Sequence, residues 1–148
     1  MNENGGPRMK KLLPIFPFLA LFLLICARAP AQVLVIANPA LPVTNVSREE
    51  LRDIFTGACS SLKGGVQVAP VLLRQGPAHD EFLSLYIGKS DTGFRAGWRS
   101  ILFSGQGVMP KTLGSDAAVV EYVIHTPGAI GYIAAATPHS GVKILVVR

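Results

Sequence analysis

One stretch of the sequence specifies a helix together with both of its ends: VSREELRDIFTG, residues 46–57. Ser47 begins a capping box, in which its hydroxyl accepts from the Glu50 amide while the Glu50 carboxylate accepts from the Ser47 amide. Gly57 is placed to end the helix in a left-handed conformation. Three apolar residues form the stripe that should be buried: Leu51, Ile54 and Phe55. The pattern predicts a short amphipathic helix that covers a hydrophobic core.

Outward from this helix, the rest of the chain alternates between two kinds of apolar pattern. Near-continuous apolar runs, rich in β-branched residues, predict four core strands covered on both faces, at 33–37, 66–73, 129–134 and 142–147. Helical spacing predicts three more helices, from Pro77 to Gly88, from Asp91 to Phe103, and from a Ser115 cap to His125. Their predicted core residues are Phe94, Trp98, Ile101 and Leu102 in the third helix, and Val119, Val120, Val123 and Ile124 in the fourth. The alternation predicts one α/β domain with a parallel or mixed sheet.

The first 31 residues have the pattern of a secretory signal peptide. Basic residues at 10 and 11 precede an apolar run at 12–27, and small residues precede Gln32. We therefore expect residues 1–31 to be a signal peptide and residues 32–148 to be the mature, periplasmic domain, with membrane contact only before cleavage. An uncleaved N-terminal anchor is the alternative, and Met9 is a second possible start. Cys26 follows Ile25 where lipidated proteins carry a small residue, so lipidation is not expected.

Charge and cysteine content exclude further classes. Four of the fourteen basic residues lie before residue 32, and the other ten are spread along the chain without a cluster. No nucleic-acid partner is therefore expected. If the signal is removed, Cys59 is the only remaining thiol, so the mature chain cannot form an internal disulfide.

The chemistry expected of an enzyme or a metalloprotein is missing from the sequence. There is no G-x-S-x-G turn, no H-x-x-x-H or C-x-x-C pair, and no nucleotide-binding glycine loop ending in G-K-S/T. The paired carboxylates at 49–50 and 80–81 fall in first turns of predicted helices, where acidic residues favour the helix dipole. We expect no catalysis, no metal and no cofactor.

One place in the sequence suggests recognition of an anion. The predicted strand at 66–73 ends at Arg74 and leads through Gly76 into the second helix, with His79 in its first turn. Strand ends and helix N-termini favour negative charge, so an oxyanion should bind there, with Arg74 as the principal ligand, Gly76 allowing close approach and His79, when protonated, as a second cation. Ser115 and, more weakly, Asn38 are further candidates. The alternative is purely structural: Ser115 only caps, Arg74 is solvated and His79 is a polar first-turn residue.

Four pieces of the chain together resemble a known family. They are L-R-D-I-F-T-G at 51–57, the strand ending in Arg74, Trp98 before F-S-G-Q-G at 103–107, and T-P-G-A-I-G-Y at 126–132. In order and spacing they resemble the phosphate ABC transporter substrate-binding proteins, and most of all a short, single-domain periplasmic branch of the type 2 binding-protein superfamily. The resemblance spans residues 33–133 and implies a single-lobe α/β sandwich of that superfamily.

The resemblance also implies a function, with two departures. It implies an exported, non-catalytic solute-binding protein for phosphate or another small oxyanion, partnered by an ABC transporter or a periplasmic sensor. Full-length members close two lobes on the ion, whereas this chain has the length of about one. Pro77 and Ala78 stand where the family has a hydroxyl-rich S-G-T turn, so two phosphate contacts are absent. A binding-protein fold reused as an interaction module, with no small ligand, is the alternative.

Overall fold

The computed structural model describes residues 5–6 and 32–148. Apart from residues 5–6, the predicted signal peptide, with Met9 and Cys26, lies outside this part of the chain. The strands of the described part are β1 Val33–Ala37, β2 Asn45–Val46, β3 Ser61–Leu62, β4 Val66–Gln67, β5 Ala69–Leu73, β6 Lys111–Leu113, β7 Ala129–Ala134 and β8 Lys143–Val147. The helices are α1 Arg48–Thr56, α2 Pro77–Phe82, α3 Asp91–Phe103 and α4 Asp116–His125, and a π-helical turn, Leu83–Ile87, continues α2.

Six of these strands form a mixed sheet in the order β2-β8-β1-β7-β5-β6. β5 runs parallel to both β6 and β7, whereas β1 runs antiparallel to β7 and β8. β3 and β4 form a separate antiparallel hairpin. The predicted α/β class with a mixed sheet is confirmed, and the sheet has two short strands, β2 and β6, beyond the four that the sequence predicts.

The two faces of β7 show how the layers are arranged. The Tyr132 ring stacks on Phe82 at 3.9 Å between centroids and meets Phe55 edge-on at 5.7 Å, so α1 and α2 cover this face. On the other face, a Cβ at Gly131 would lie 3.0 Å from the Val119 side chain of α4. Glycine is therefore what lets α4 pack directly on the sheet. The centre of the sheet is therefore buried between helices on both faces, as its near-continuous apolar strands predict. β8 differs, because Ile144 is 44% exposed and Val146 is 58% exposed, so the prediction that this strand is covered on both faces is wrong.

The predicted ends of α1 are confirmed. Ser47 Oγ accepts from the Glu50 amide at 3.1 Å, and Glu50 Oε2 accepts from the Ser47 amide at 3.0 Å. Gly57 ends the helix at φ 81°, in the left-handed region. The hydrogen bonds that the Glu50 carboxylate accepts from the backbone amides of Ser47 and, at 3.0 Å, Lys63 hold the pKa of Glu50 below its usual value.

Five other details of the prediction are wrong. The predicted strand at 66–73 is interrupted at Val68, where the chain passes from the β3–β4 hairpin into the central sheet. The second helix leaves α-helical geometry at Leu83. Leu102 is 41% exposed, and Ile101 and Ile124 are only partly buried, because α3 and α4 bury narrower stripes than their apolar content predicts.

Candidate functional site

Strand direction brings three of the predicted ligands to one end of the sheet. β5 and β6 are parallel, with Leu73 opposite Leu113, and the Arg74 amide donates to the Leu113 carbonyl at 2.8 Å. Arg74 therefore follows β5 next to the segment in which Ser115 follows β6. We call this end of the sheet, defined by Arg74, Gly76 and Ser115, the Arg74 end.

The donors at the Arg74 end are partly free. The Arg74 side chain is exposed and makes no hydrogen bond or ion pair with any described residue. Gly76 precedes α2 at φ 120° and ψ 172°, and no side chain caps this helix. First-turn amides have no partner within their own helix, although Pro77 removes one of them. A guanidinium and uncapped amides are donors suited to an oxyanion.

Ser115 caps α4. Its Oγ accepts from the Ala118 amide at 3.2 Å. A hydroxyl that accepts one hydrogen bond still has its own proton to donate. The capping role expected under the structural alternative is therefore observed, and it leaves the donor function available.

His79 points into the core and not toward the exposed Arg74 side chain. It is 2% exposed, with Nδ1 at 2.6 Å from Tyr132 Oη and Nε2 at 2.7 Å from Asp91 Oδ1. Tyr132 Oη also accepts the Leu73 amide at 3.1 Å, and a carboxylate only accepts, so His79 Nε2–H donates to Asp91. The geometry thus gives His79 internal partners on both nitrogens and does not favour the predicted second cation.

Asp91 and Arg95 connect the buried Tyr132–His79 pair to the Arg74 end. Arg95 Nε lies 2.9 Å and 2.8 Å from the two Asp91 oxygens, and Arg95 Nη2 donates to the Arg74 carbonyl. The hydrogen bond from Arg95, together with that from His79, lowers the pKa of Asp91. A polar chain therefore runs from the Leu73 amide through Tyr132, His79, Asp91 and Arg95 to the backbone of Arg74. The sequence interpretation missed it, although the i, i+4 spacing of Asp91 and Arg95 is a detectable signal.

Acidic groups offset much of the positive charge there. Asp116, in the first turn of α4, accepts from the Ala134 amide at 2.8 Å and from the Thr137 hydroxyl at 2.9 Å. With Asp91 it opposes the charges of Arg74 and Arg95. An anion at this end would depend on directed hydrogen bonds more than on net charge.

Asn38 lies at the opposite end of the sheet. It follows β1, which runs antiparallel to β7, whereas β5 runs parallel to β7. Its Nδ2 donates to the carbonyls of Val123 and Ile124 at 2.9 Å and 3.0 Å, and its Oδ1 accepts from the Ala40 amide at 2.9 Å. The structure therefore does not bring Asn38 to the Arg74 end, because a predicted strand carries no information about its direction.

Metal-site and membrane signals are both missing from the described part of the chain. Residues 5–6 and 32–148 contain no group of three or more His, Cys, Asp or Glu side chains arranged to hold a metal ion. Within the same ranges, no helix combines the length and the hydropathy that a membrane span requires.

The chain is similar in fold to several solved structures. No protein-family model and no curated protein matches the chain. A phosphate transport receptor of the ABC type from Vibrio cholerae superposes with a TM-score of 0.59 at 24% identity, over 78% of this chain and 45% of the receptor. The chain has the fold of phosphate ABC transporter substrate-binding proteins. The resemblance drawn from the sequence is thus confirmed at the level of fold.

Two further solved structures superpose on the chain with similar TM-scores. A putative phosphate ABC transporter substrate-binding protein with bound phosphate from Clostridium perfringens gives a TM-score of 0.60 at 18% identity, with 78% of this chain and 44% of that protein covered. PstS from Borrelia burgdorferi gives 0.60 at 19% identity, with 78% and 47% covered. The chain spans less than half the length of these phosphate-transport binding proteins.

Proposed function

We propose that this chain is an exported, non-catalytic solute-binding protein for phosphate or another small oxyanion, working with an ABC transporter or a periplasmic sensor. One observation carries the proposal: Arg74, whose side chain makes no described hydrogen bond or ion pair, follows the C-terminal end of a parallel strand and shortly precedes the uncapped start of α2. The shared fold supports it, since one structure of that fold holds bound phosphate.

The proposed site consists of Arg74, Gly76 and Ser115. Arg74 would grip two anion oxygens with its guanidinium, Gly76 would let the backbone approach, and Ser115 would donate its hydroxyl. His79 enters this proposal only through Asp91, which accepts from both His79 and Arg95, while Arg95 donates to the Arg74 carbonyl. Asn38 is left out because it follows a strand that ends at the other side of the sheet.

We expect the affinity of this site to be modest. An anion held by one lobe stays partly in water, where screening weakens each charge-assisted hydrogen bond. Pro77 has no amide proton, and the carboxylates of Asp91 and Asp116 lie at the same end. A transporter or sensor that closes over the Arg74 end would exclude this water and strengthen binding.

We propose that the chain performs no catalysis, because its buried polar groups are closed off from a substrate. Tyr132, His79 and Asp91 have the hydrogen-bond order of a nucleophile, a base and an orienting acid. Tyr132 is fully buried, however, and burial raises the pKa of its hydroxyl. A substrate cannot reach this hydroxyl, so Tyr132 and His79 support the core and perform no reaction.

Export rests on the N-terminal sequence. We propose that residues 1–31 are removed as a signal peptide and that residues 32–148 form the binding domain in the periplasm. Mass spectrometry of the periplasmic fraction should find Gln32, cyclised or not, at the N-terminus. Intact Met1 or Met9 in the cytoplasmic fraction would contradict export.

Calorimetry of the purified protein against phosphate, sulfate and molybdate tests the binding proposal. Arg74→Ala should remove most of the binding heat with little loss of stability, because an exposed arginine contributes little to folding. Arg99→Ala is the matched control, since Arg99 is also exposed and makes no described ion pair. Equal affinity in Arg74→Ala and the wild type would refute the site.

The interaction-module alternative is favoured by a different surface. Phe103 is 90% exposed and Val108 is 85% exposed, which is unusual for large apolar side chains. If no oxyanion binds at millimolar concentration, this alternative replaces the solute-binding proposal.

A further inference from the structure

A cavity of about 470 Å³ lies at the end of β5 opposite to the Arg74 end. The C-terminal ends of α1 and α3, the first residues of β5 and the loop at 106–110 enclose it. Its volume is within the range of about 300–1,000 Å³ typical of small-molecule sites. No member of the Arg74 end lines it, so its occupant would not compete with an oxyanion there.

About half of the cavity wall is apolar. Ile54, Trp98 and Ile101 form the inner wall, and Val108 and Met109 from the loop lie at the mouth. Val108 is 85% exposed and Met109 is 37% exposed, whereas Trp98 is only 5% exposed. The apolar part of the wall therefore extends from the protein interior to solvent, and an apolar body can cover it.

One charge is present on this surface. Of the described residues that line the cavity, Lys111 alone carries a charge. Its Nζ lies 5.8 Å from the centroid of the Tyr122 ring, and none of the described ion pairs includes it. An unpaired ammonium in a partly apolar cavity is complementary to an anion that carries an apolar body.

We propose that this cavity binds a small amphipathic monocarboxylate. The carboxylate would pair with Lys111 Nζ, and an alkyl body of medium length would lie along Trp98, Ile101 and Met109. The charge on Lys111 favours an acid over an alcohol or a cationic amphiphile of the same length. The proposal uses no residue of the Arg74 end and does not depend on oxyanion binding.

The sequence supplies a direct probe. Trp98 is the only tryptophan of the chain and it lines the cavity, so its fluorescence reports on an occupant. Decanoate, titrated below its critical micelle concentration, should change this fluorescence saturably with one site per chain. Decyltrimethylammonium should bind about tenfold more weakly, because Lys111 attracts one head group and repels the other. Decanol should fall between the two.

Two variants test separately the contributions of the Lys111 charge and of the cavity wall to decanoate binding. Lys111→Gln should weaken decanoate binding about fivefold, to the level of decanol, as expected for loss of one solvent-exposed ion pair. Lys89→Gln, an exposed lysine outside the cavity, should leave decanoate affinity unchanged. Met109→Glu places a carboxylate at the partly exposed mouth and should abolish decanoate binding without unfolding the protein.

A second measurement checks the location. The thiol of Cys59 is exposed and lines the cavity, so saturating decanoate should slow its alkylation by a maleimide. Mass spectrometry of the peptide that contains Cys59 distinguishes this thiol from Cys26.

Three results would overturn the proposal. They are no saturable fluorescence change with decanoate, equal affinity for decanoate and decyltrimethylammonium, and unchanged decanoate affinity in Lys111→Gln. A dimer that dissociates in Met109→Glu, in a protein that does not bind decanoate, would assign the surface to a second copy of the chain instead. Failure of phosphate binding at Arg74 would leave these outcomes unaffected.

Discussion

The hydroxyl of Tyr132 lies 2.6 Å from Nδ1 of His79, and both side chains are buried. The same hydroxyl accepts the Leu73 amide, and the far side of the imidazole meets Asp91 at 2.7 Å. Each group in this hydrogen-bonded series is the partner of the next one. Removal of one member therefore leaves its neighbours without partners in a region of low dielectric.

We predict that Tyr132→Phe destabilises the fold by about 1–3 kcal/mol, because the Leu73 amide and His79 Nδ1 lose their partner while the ring packing is kept. Urea denaturation monitored by circular dichroism measures the change. Tyr86→Phe is the matched control, since Tyr86 also packs on Phe82 but its hydroxyl makes no described hydrogen bond. The control should stay within about 0.5 kcal/mol of the wild type. Equal losses in the two variants would contradict the role given to the Tyr132 hydroxyl.

The Arg95–Asp91 contact should make stability depend on pH in the acid range. The hydrogen bond from Arg95, and then that from His79, lowers the folded pKa of Asp91 below its ordinary value of 3.8. This contribution is complete above the ordinary value and is lost as the pH falls through the folded pKa. Between about pH 5 and pH 3, the wild type should therefore lose more stability than Asp91→Asn.

Denaturation midpoints measured across this range test the prediction. Asp80→Asn, which changes an exposed carboxylate that makes no described ion pair, is the matched control. Parallel profiles for Asp91→Asn and the wild type would show that folding does not lower the pKa of Asp91.

Elements with local signals could be predicted from the sequence. The capping box and terminal glycine define α1, helical spacing gives α3 the same bounds as observed, and apolar runs locate β1 and β7. All of these signals lie within a few residues of the element they define, so periodicity and capping chemistry are sufficient.

The candidate site was only partly predictable, because its other determinants are not local. Arg74 and Ser115 follow two strands that pair in parallel, and one of these strands, β6, was not predicted from the sequence. The burial of His79 depends on Tyr132, which lies 53 positions away, and the position of Asn38 depends on the direction of β1. Neither relation leaves a periodic trace in the sequence.

Gly57 combines a backbone requirement with a packing requirement, and the two can be separated. Its φ is 81°, and a Cβ there would lie 2.7 Å from Ile101 Cδ1 and 2.9 Å from Trp98 Cη2. Gly64 has φ 87°, but a Cβ added at this position would meet nothing within 4 Å. We predict that Gly57→Ala costs more than Gly64→Ala, with about 1 kcal/mol from the backbone in both and about 1–3 kcal/mol more from overpacking at Gly57.

Thermal unfolding of the two glycine variants gives the comparison. The fluorescence of Trp98 should also change in Gly57→Ala and not in Gly64→Ala, since only the first substitution displaces the indole. Similar unfolding temperatures in both variants would mean that Trp98 and Ile101 move aside at little cost.

Asn38 should affect stability and leave anion binding unchanged. It is 5% exposed, and its amide nitrogen donates to two carbonyls at the end of α4. Asn38→Ala leaves these carbonyls unpaired and should cost about 1–3 kcal/mol. Asn38→Asp should cost more than the alanine variant, because a carboxylate oxygen would then face the carbonyls of Val123 and Ile124 in place of a donor. Asn45→Asp, at an exposed position, should have little effect.

Urea denaturation gives the order of the three variants, and calorimetry with phosphate at a temperature where each is folded should find wild-type affinity. A loss of phosphate affinity in folded Asn38→Ala would mean that the two ends of the sheet are coupled, and the separation of Asn38 from the Arg74 end would then be wrong.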